Sequence, residues 1–203
     1  GFSFFGLFVQ GIAWLIVLKY SFESLKTTAS GDLKPPKINS ETISADFQQV
    51  FKQYGIFILI FLISGWITVA AGPILGIIFI LFALLFIPAM IILLVTTNSL
   101  LHAVNPVLFV QLALRIGRGY LLMYFFLLLL GAAPAVVMKY VIKFFPGALH
   151  LLLYSFAQSF YMIVSYHLMG YVILQYHNEV GYEVDFDDFR DPSLETAEPE
   201  KID

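Results

Sequence analysis

Apolar residues fall along this chain in long blocks, not in the alternation of a strand or the single stripe of a soluble helix. The blocks cover 1–18, 55–71, 74–98, 119–138 and 148–175. Each is long enough, or nearly so, to cross about 30 Å of hydrocarbon at about 1.5 Å per residue. The pattern predicts an all-α fold: a polytopic integral membrane helical bundle with five visible spans. Punctuation between the blocks agrees. Gly72-Pro73 predicts a tight turn, because proline disfavours helix in the residue before it. The second and third spans are therefore expected to form a helical hairpin. Pro88 lies near the middle of the third span and Pro134 close to the end of the fourth. Each deprives a carbonyl one turn back of its donor and is expected to bend its helix. Pro146-Gly147 predicts a short turn before the fifth span.

Two connections carry a helical period of their own. Within 40–54, Ile43, Phe47, Val50, Phe51 and Tyr54 share one face, and Asp46, Gln49, Lys52 and Gln53 take the other. That is the pattern of an amphipathic helix in the headgroup layer. Within 106–117, Asn105 supplies an N-cap and Pro106 a first helical position. Arg115 and Arg118 stand near the C-terminal end, where they favour the helix dipole, and Gly117 and Gly119 allow a break before the fourth span. Both segments read as interfacial helices forming a collar on the cytoplasmic side. The alternative is that each only extends the span that follows it.

Charge sharpens the picture. Between Lys52 and Glu179 the formally charged residues are Arg115, Arg118, Lys139 and Lys143, and none is acidic. A charge near the bilayer centre costs about 2.5–3.5 kcal/mol or more, and all four fall at the ends of spans. The same gap excludes most chemistry from this region: paired acids, carboxylate metal ligands and Asp-supported triads. The chain has no cysteine, so thiolate ligands and Cys nucleophiles are excluded everywhere. Coupling to ions or protons through intramembrane acids is not expected. Neither a catalytic centre, a cofactor nor a metal is expected.

The basic residues are distributed unevenly. If the connection after the first span, the Arg115–Arg118 connection and the tail share one side, nine of the eleven Lys and Arg residues lie there. Positive residues favour the cytoplasmic side. That assignment leaves Gly1 outside, and its apolar start lacks the basic n-region of a signal peptide. A sixth span upstream in the full gene is therefore expected. The chain divides into a transmembrane domain, 1–178, and a cytoplasmic tail, 179–203, which carries ten acids against Arg190 and Lys201.

Candidate functional residues are few. Tyr154, Gln158, Tyr161 and Ser165 recur at three- and four-residue spacing on one face of the fifth span. They could line a polar path, or hold helices together by hydrogen bonds. Arg115, Arg118, Lys139 and Lys143 are candidate lipid-phosphate contacts, the lysines by snorkelling outward. His102, His150, His167 and His177 are scattered, without ligand spacing or a supporting carboxylate; His167 lies closest to hydrocarbon. In the tail, Tyr182, Asp185, Phe186, Asp187, Asp188 and Phe189 mix aromatics with acids and suggest docking on a partner. The acids lack the central Gly and closing Glu of a calcium loop. Gly6, Gly11, Gly65, Gly76, Gly131 and Gly170 lie inside spans, where small residues permit close helix packing.

One stretch is more specific. After the first span comes Ala29-Ser30-Gly31-Asp32-Leu33-Lys34-Pro35-Pro36, followed by the amphipathic segment and the second span. This resembles a family of polytopic prokaryotic membrane proteins of unknown function, in which an Ala-x-Gly-Asp-x-x-Pro-Pro-type turn follows a transmembrane span. The resemblance implies a multi-pass protein of the bacterial inner membrane and supplies no activity. In physical terms, Gly31 ends a helical extension and Pro35-Pro36 stiffens the exit. The expected function is non-enzymatic: a scaffold or accessory subunit of a membrane complex. Its expected partners are the lipid bilayer and a membrane protein or second copy, with no nucleic acid. The rival is a transporter or lipid-handling protein using the polar face of the last span.

Overall fold

The computed structural model describes residues 4–36 and 47–182, and every regular element among them is helical. In chain order these are α1 (Phe4–Ala29), α2 (Gln48–Ala71), α3 (Pro73–Thr97), α4 (Leu100–Ala103), α5 (Pro106–Ile116), α6 (Arg118–Tyr140), α7 (Gly147–Gln175) and α8 (His177–Val180). A 3-10 turn, Ile142–Phe144, precedes α7. Helices α2, α3 and α6 are long and apolar enough to cross a membrane, as expected of a membrane protein.

Helix α1 continues well past the apolar block that ends at residue 18. Its polar continuation bonds to its own backbone. Ser21 Oγ donates to the Val17 carbonyl at 2.8 Å, Thr27 Oγ1 to Glu23 at 2.8 Å and Thr28 Oγ1 to Ser24 at 2.7 Å. With their hydroxyls satisfied inside the helix, Ser21 and Thr28 can be buried beside Phe22, Leu25 and Ala29. Gly31 then ends the extension as expected, at φ 101°, a conformation that costs other residues about 1–2 kcal/mol. Asp32 Oδ1 closes the turn by accepting the Lys34 amide at 2.9 Å.

Helix α2 departs from the expected division at Tyr54-Gly55. It begins at Gln48 and runs through that point without a break; residues 40–46 of the expected amphipathic helix lie outside the described residues. Its buried side also differs. Val50, Gln53, Ile56 and Ser64 are buried, whereas Phe51 is 63% and Tyr54 39% exposed. Gln53, placed on the polar face by its neighbours in sequence, points inward because α1 and α7 cover that side.

Other boundaries follow the sequence closely. Gly72 makes the turn between α2 and α3, and Pro73 opens α3. Helix α3 remains helical through Pro88, and Pro88 to Val95 are buried on all sides. Asn105 Oδ1 accepts the Val107 amide at 3.0 Å, the cap expected for α5. Gly117, at φ 62°, ends α5 and lets α6 start at once. Pro146 and Gly147 start α7.

Packing is unequal along the bundle. Helix α1 packs chiefly along α7, α7 along α6, and α2 along α3. At Gly170 a side chain would run into the Leu25 carbonyl and Thr28, so this glycine sets the close approach of α1 and α7. Gly76 does the same beside Thr68, while Gly11, Gly65 and Gly131 face open space. The buried residues gather where the C-terminal ends of α1, α3 and α7 meet α5 and the start of α6. Toward the other end, Phe61, Trp66, Val69, Ile74 and Phe144 are largely exposed.

Candidate functional site

Polar groups concentrate where the hairpin α2–α3 meets α1, α6 and α7. Tyr166 Oη of α7 donates to Gln53 Oε1 of α2 at 2.6 Å, and Phe22 stands edge-on to the Tyr166 ring at 5.2 Å. Nearly two turns further along α1, Thr28 Oγ1 lies 2.6 Å from His167 Nδ1. Tyr120 of α6 donates its hydroxyl to the Leu85 carbonyl of α3 at 2.7 Å, one turn before Pro88. These contacts join distant segments inside an apolar surround, where each membrane hydrogen bond contributes about 0.6–1.7 kcal/mol.

Lys19 belongs to the same region. The sequence places it in a polar connection, but it lies within α1 and is only 4% exposed. Its Nζ rests over the Phe47 ring at 4.7 Å, just before α2. The stem is buried and the ammonium meets that aromatic face, a cation–π contact.

Between these contacts lies a cavity of about 460 Å³. Trp14 and Leu18 of α1, Gln53 of α2, Pro88 of α3, Tyr124 of α6 and Ser165 of α7 each contribute to its wall. No formally charged side chain lines it. A second cavity of about 320 Å³, between α2, α3 and α5, is lined by apolar residues alone.

The expected stripe on α7 is largely self-contained. Gln158 Nε2 donates to Tyr154 Oη at 2.9 Å, and Ser165 Oγ donates to the Tyr161 carbonyl at 2.8 Å. Ser165 is the member of the stripe that reaches the larger cavity. Arg115 and Arg118 are exposed at the junction of α5 and α6. Lys139 and Lys143 are exposed near the far end of α6, with their ammonium groups over Tyr140 at 5.4 Å and Phe144 at 4.9 Å. Tyr182 is half-buried and packs against the core; Asp185, Phe186, Asp187, Asp188 and Phe189 lie outside the described residues. Of the remaining histidines, His102 is exposed and His150 Nε2 lies 2.8 Å from Met138 Sδ. Among the described residues no cluster of His, Cys, Asp or Glu could hold a metal ion.

Gln53, Tyr166, Tyr120 and Tyr124 were missed as a group by sequence reasoning. A partial signal existed for α1, where Ser21, Ser24 and Thr28 recur at three- and four-residue spacing and Gly170 offers the small residue opposite. No family model, curated protein or solved structure matches the chain.

Proposed function

We propose that the chain is a multi-pass protein of the bacterial inner membrane that acts as a scaffold or accessory subunit, without a catalytic centre of its own. On this reading α1, α2, α3, α6 and α7 all cross the bilayer. Helices α1 and α7 have the length for it, at 26 and 29 residues. Their polar residues turn toward each other, as the Thr28–His167 contact illustrates, so they need not meet lipid. Helix α5 lies along the cytoplasmic surface. Its Leu112 and Ile116 face the core, while Val107, Leu114 and Arg115 face outward toward acyl chains and phosphates.

The observation that carries the proposal is the small share of α2 and α6 covered by their own chain. In the most apolar stretch of each, 11% of the residues are buried. Helices so little packed within one chain leave long faces for helices of another, and in lipid such association rests on packing and a few hydrogen bonds. The test is purification in mild detergent of the full chain and of a chain ending at Tyr182, with mass measured by light scattering. The full chain is expected to run as a stoichiometric assembly with a second polypeptide or a second copy, and removal of the acidic tail is expected to weaken it. A monomer in both preparations overturns the proposal.

The rival, a solute path along the polar face of α7, gains less from the geometry. Tyr154 and Gln158 bond each other within α7, Ser165 donates to the Tyr161 carbonyl of the same helix, and of these four Ser165 alone lines the cavity.

A further inference from the structure

We propose that the cavity between α1, α2, α3, α6 and α7 is a binding site for an uncharged lipid that carries a carbonyl oxygen. Three observations lead there. The first is the hydrogen-bond inventory at Gln53. This side chain is 4% exposed, and its Oε1 accepts from Tyr166. Its amide nitrogen has no acceptor among the described residues. No fully enclosed polar side-chain atom there lacks a partner, so this nitrogen is not sealed in protein. Gln53 lines the cavity, and we place the open N–H there.

The second is the balance of donors over acceptors. Tyr124 lines the same cavity, and its hydroxyl has no hydrogen-bond partner among the described residues. Ser165 and Tyr166 already donate elsewhere. What the wall still offers is the amide N–H pair of Gln53, the O–H groups of Tyr54 and Tyr124 and the indole N–H of Trp14, none with an acceptor among the described residues. A donor left facing hydrocarbon instead of water costs about 1–3 kcal/mol, so the complementary ligand presents an acceptor. The third is the lack of any charged side chain in the lining. A phosphate or carboxylate would enter without a counter-charge, at several kcal/mol per ion. A neutral carbonyl meets both conditions. Trp14, Phe57 and the aliphatic residues then hold the apolar body, and about 460 Å³ falls within the usual 300–1,000 Å³ of ligand pockets.

Carbonyl oxygens reach such a site from two kinds of neutral membrane lipid: the esters of a diacylglycerol and the ring oxygens of a quinone. The chain carries its own reporter. It has two tryptophans; Trp14 lines the cavity, whereas Trp66 is 71% exposed. In W66F protein the fluorescence comes from Trp14 alone. This protein, in nanodiscs, is titrated with a brominated diacylglycerol, with a short-tailed quinone, with a brominated alkane and with a brominated anionic phospholipid. The expected result is saturable quenching by at least one carbonyl lipid, and shallow, non-saturating quenching by the alkane and the anionic lipid. Saturation by the diacylglycerol alone assigns an ester ligand, and by the quinone alone a ring-carbonyl ligand. Gln53→Leu and Tyr124→Phe, each in the W66F background, are expected to weaken that saturable phase about five-fold, the range for one lost hydrogen bond. Tyr124→Phe breaks no bond within the protein, so it reads the ligand contact even if Gln53→Leu disturbs packing with Tyr166. Equal quenching by all four compounds, or a saturable phase unchanged in Tyr124→Phe and in every folded Gln53→Leu preparation, overturns the proposal.

Discussion

Gly170 shows how one residue governs the join of two long helices. The Leu25 carbonyl and Thr28 of α1 occupy the space a side chain would need, so the close approach of α1 and α7 at this point requires a glycine. Gly170→Leu is expected to force them apart at about 1–3 kcal/mol, the usual cost of overpacking, and to lower the thermal midpoint of the detergent-purified protein. Gly131→Ala is the control, since nothing lies within 4 Å of its added methyl; its midpoint should hold or rise slightly. Tyr120→Phe removes the hydroxyl that bonds the Leu85 carbonyl. It is expected to destabilise by about 0.6–1.7 kcal/mol in the same assay. Both glycines are visible in sequence as small residues within spans, yet their roles diverge, because only one has a partner helix against it. The same limit explains Gln53 and Lys19. A helical wheel of the local sequence put Gln53 with Lys52 on a polar face, but its burial is decided by Tyr166, 113 positions away.

At the scale of elements, boundaries set by backbone chemistry were legible and burial set by side-chain satisfaction was not. Gly72-Pro73, Asn105-Pro106, Gly117 and Pro146-Gly147 all mark real helix ends, since proline and positive-φ glycine act on their own chain. The apolar block ends at residue 18, yet α1 runs on to Ala29 as the extension that Gly31 was expected to end. What hydropathy hides is its burial: Ser21 and Thr28 satisfy their hydroxyls within the helix. From Gln48 on, α2 follows the alternative in which the amphipathic segment extends the next span: a change from amphipathic to uniformly apolar sequence need not interrupt the backbone. Helix α5 offers the cleanest test of a local cue. Asn105→Ala removes the acceptor for the Val107 amide and should cost about 0.5–2 kcal/mol. The expected readout is faster hydrogen exchange at the first amides of α5, with α2 and α3 unchanged. Uniform loss of protection across the molecule would show that α5 is not a separable unit.

For the whole molecule, the decisive quantity is the parity of crossings. Lys34 and Arg115 are separated by the hairpin α2–α3; on the proposed reading both helices cross, and two crossings return the chain to the same side. Arg115 and Phe144 are separated by α6; on the same reading one crossing puts them on opposite sides. The charge distribution then sets the sign: Lys26, Lys34, Lys52, Arg115 and Arg118 share one end of the bundle, and Lys139 and Lys143 take the other. An excess of Lys and Arg in short connections marks the cytoplasmic face. Because the chain has no cysteine, each introduced cysteine is the sole target for a membrane-impermeant maleimide. Phe144 is 77% exposed and Arg115 is exposed, so both can be replaced without opening the core. F144C is expected to label in intact spheroplasts, and K34C and R115C only after permeabilisation. Labelling of F144C and R115C from one side would remove α6 as a span, and opposite labelling of K34C and R115C would break the α2–α3 hairpin. A full reversal would keep the bundle but place the Arg115–Arg118 collar outside, away from the anionic cytoplasmic leaflet that the placement of α5 invokes.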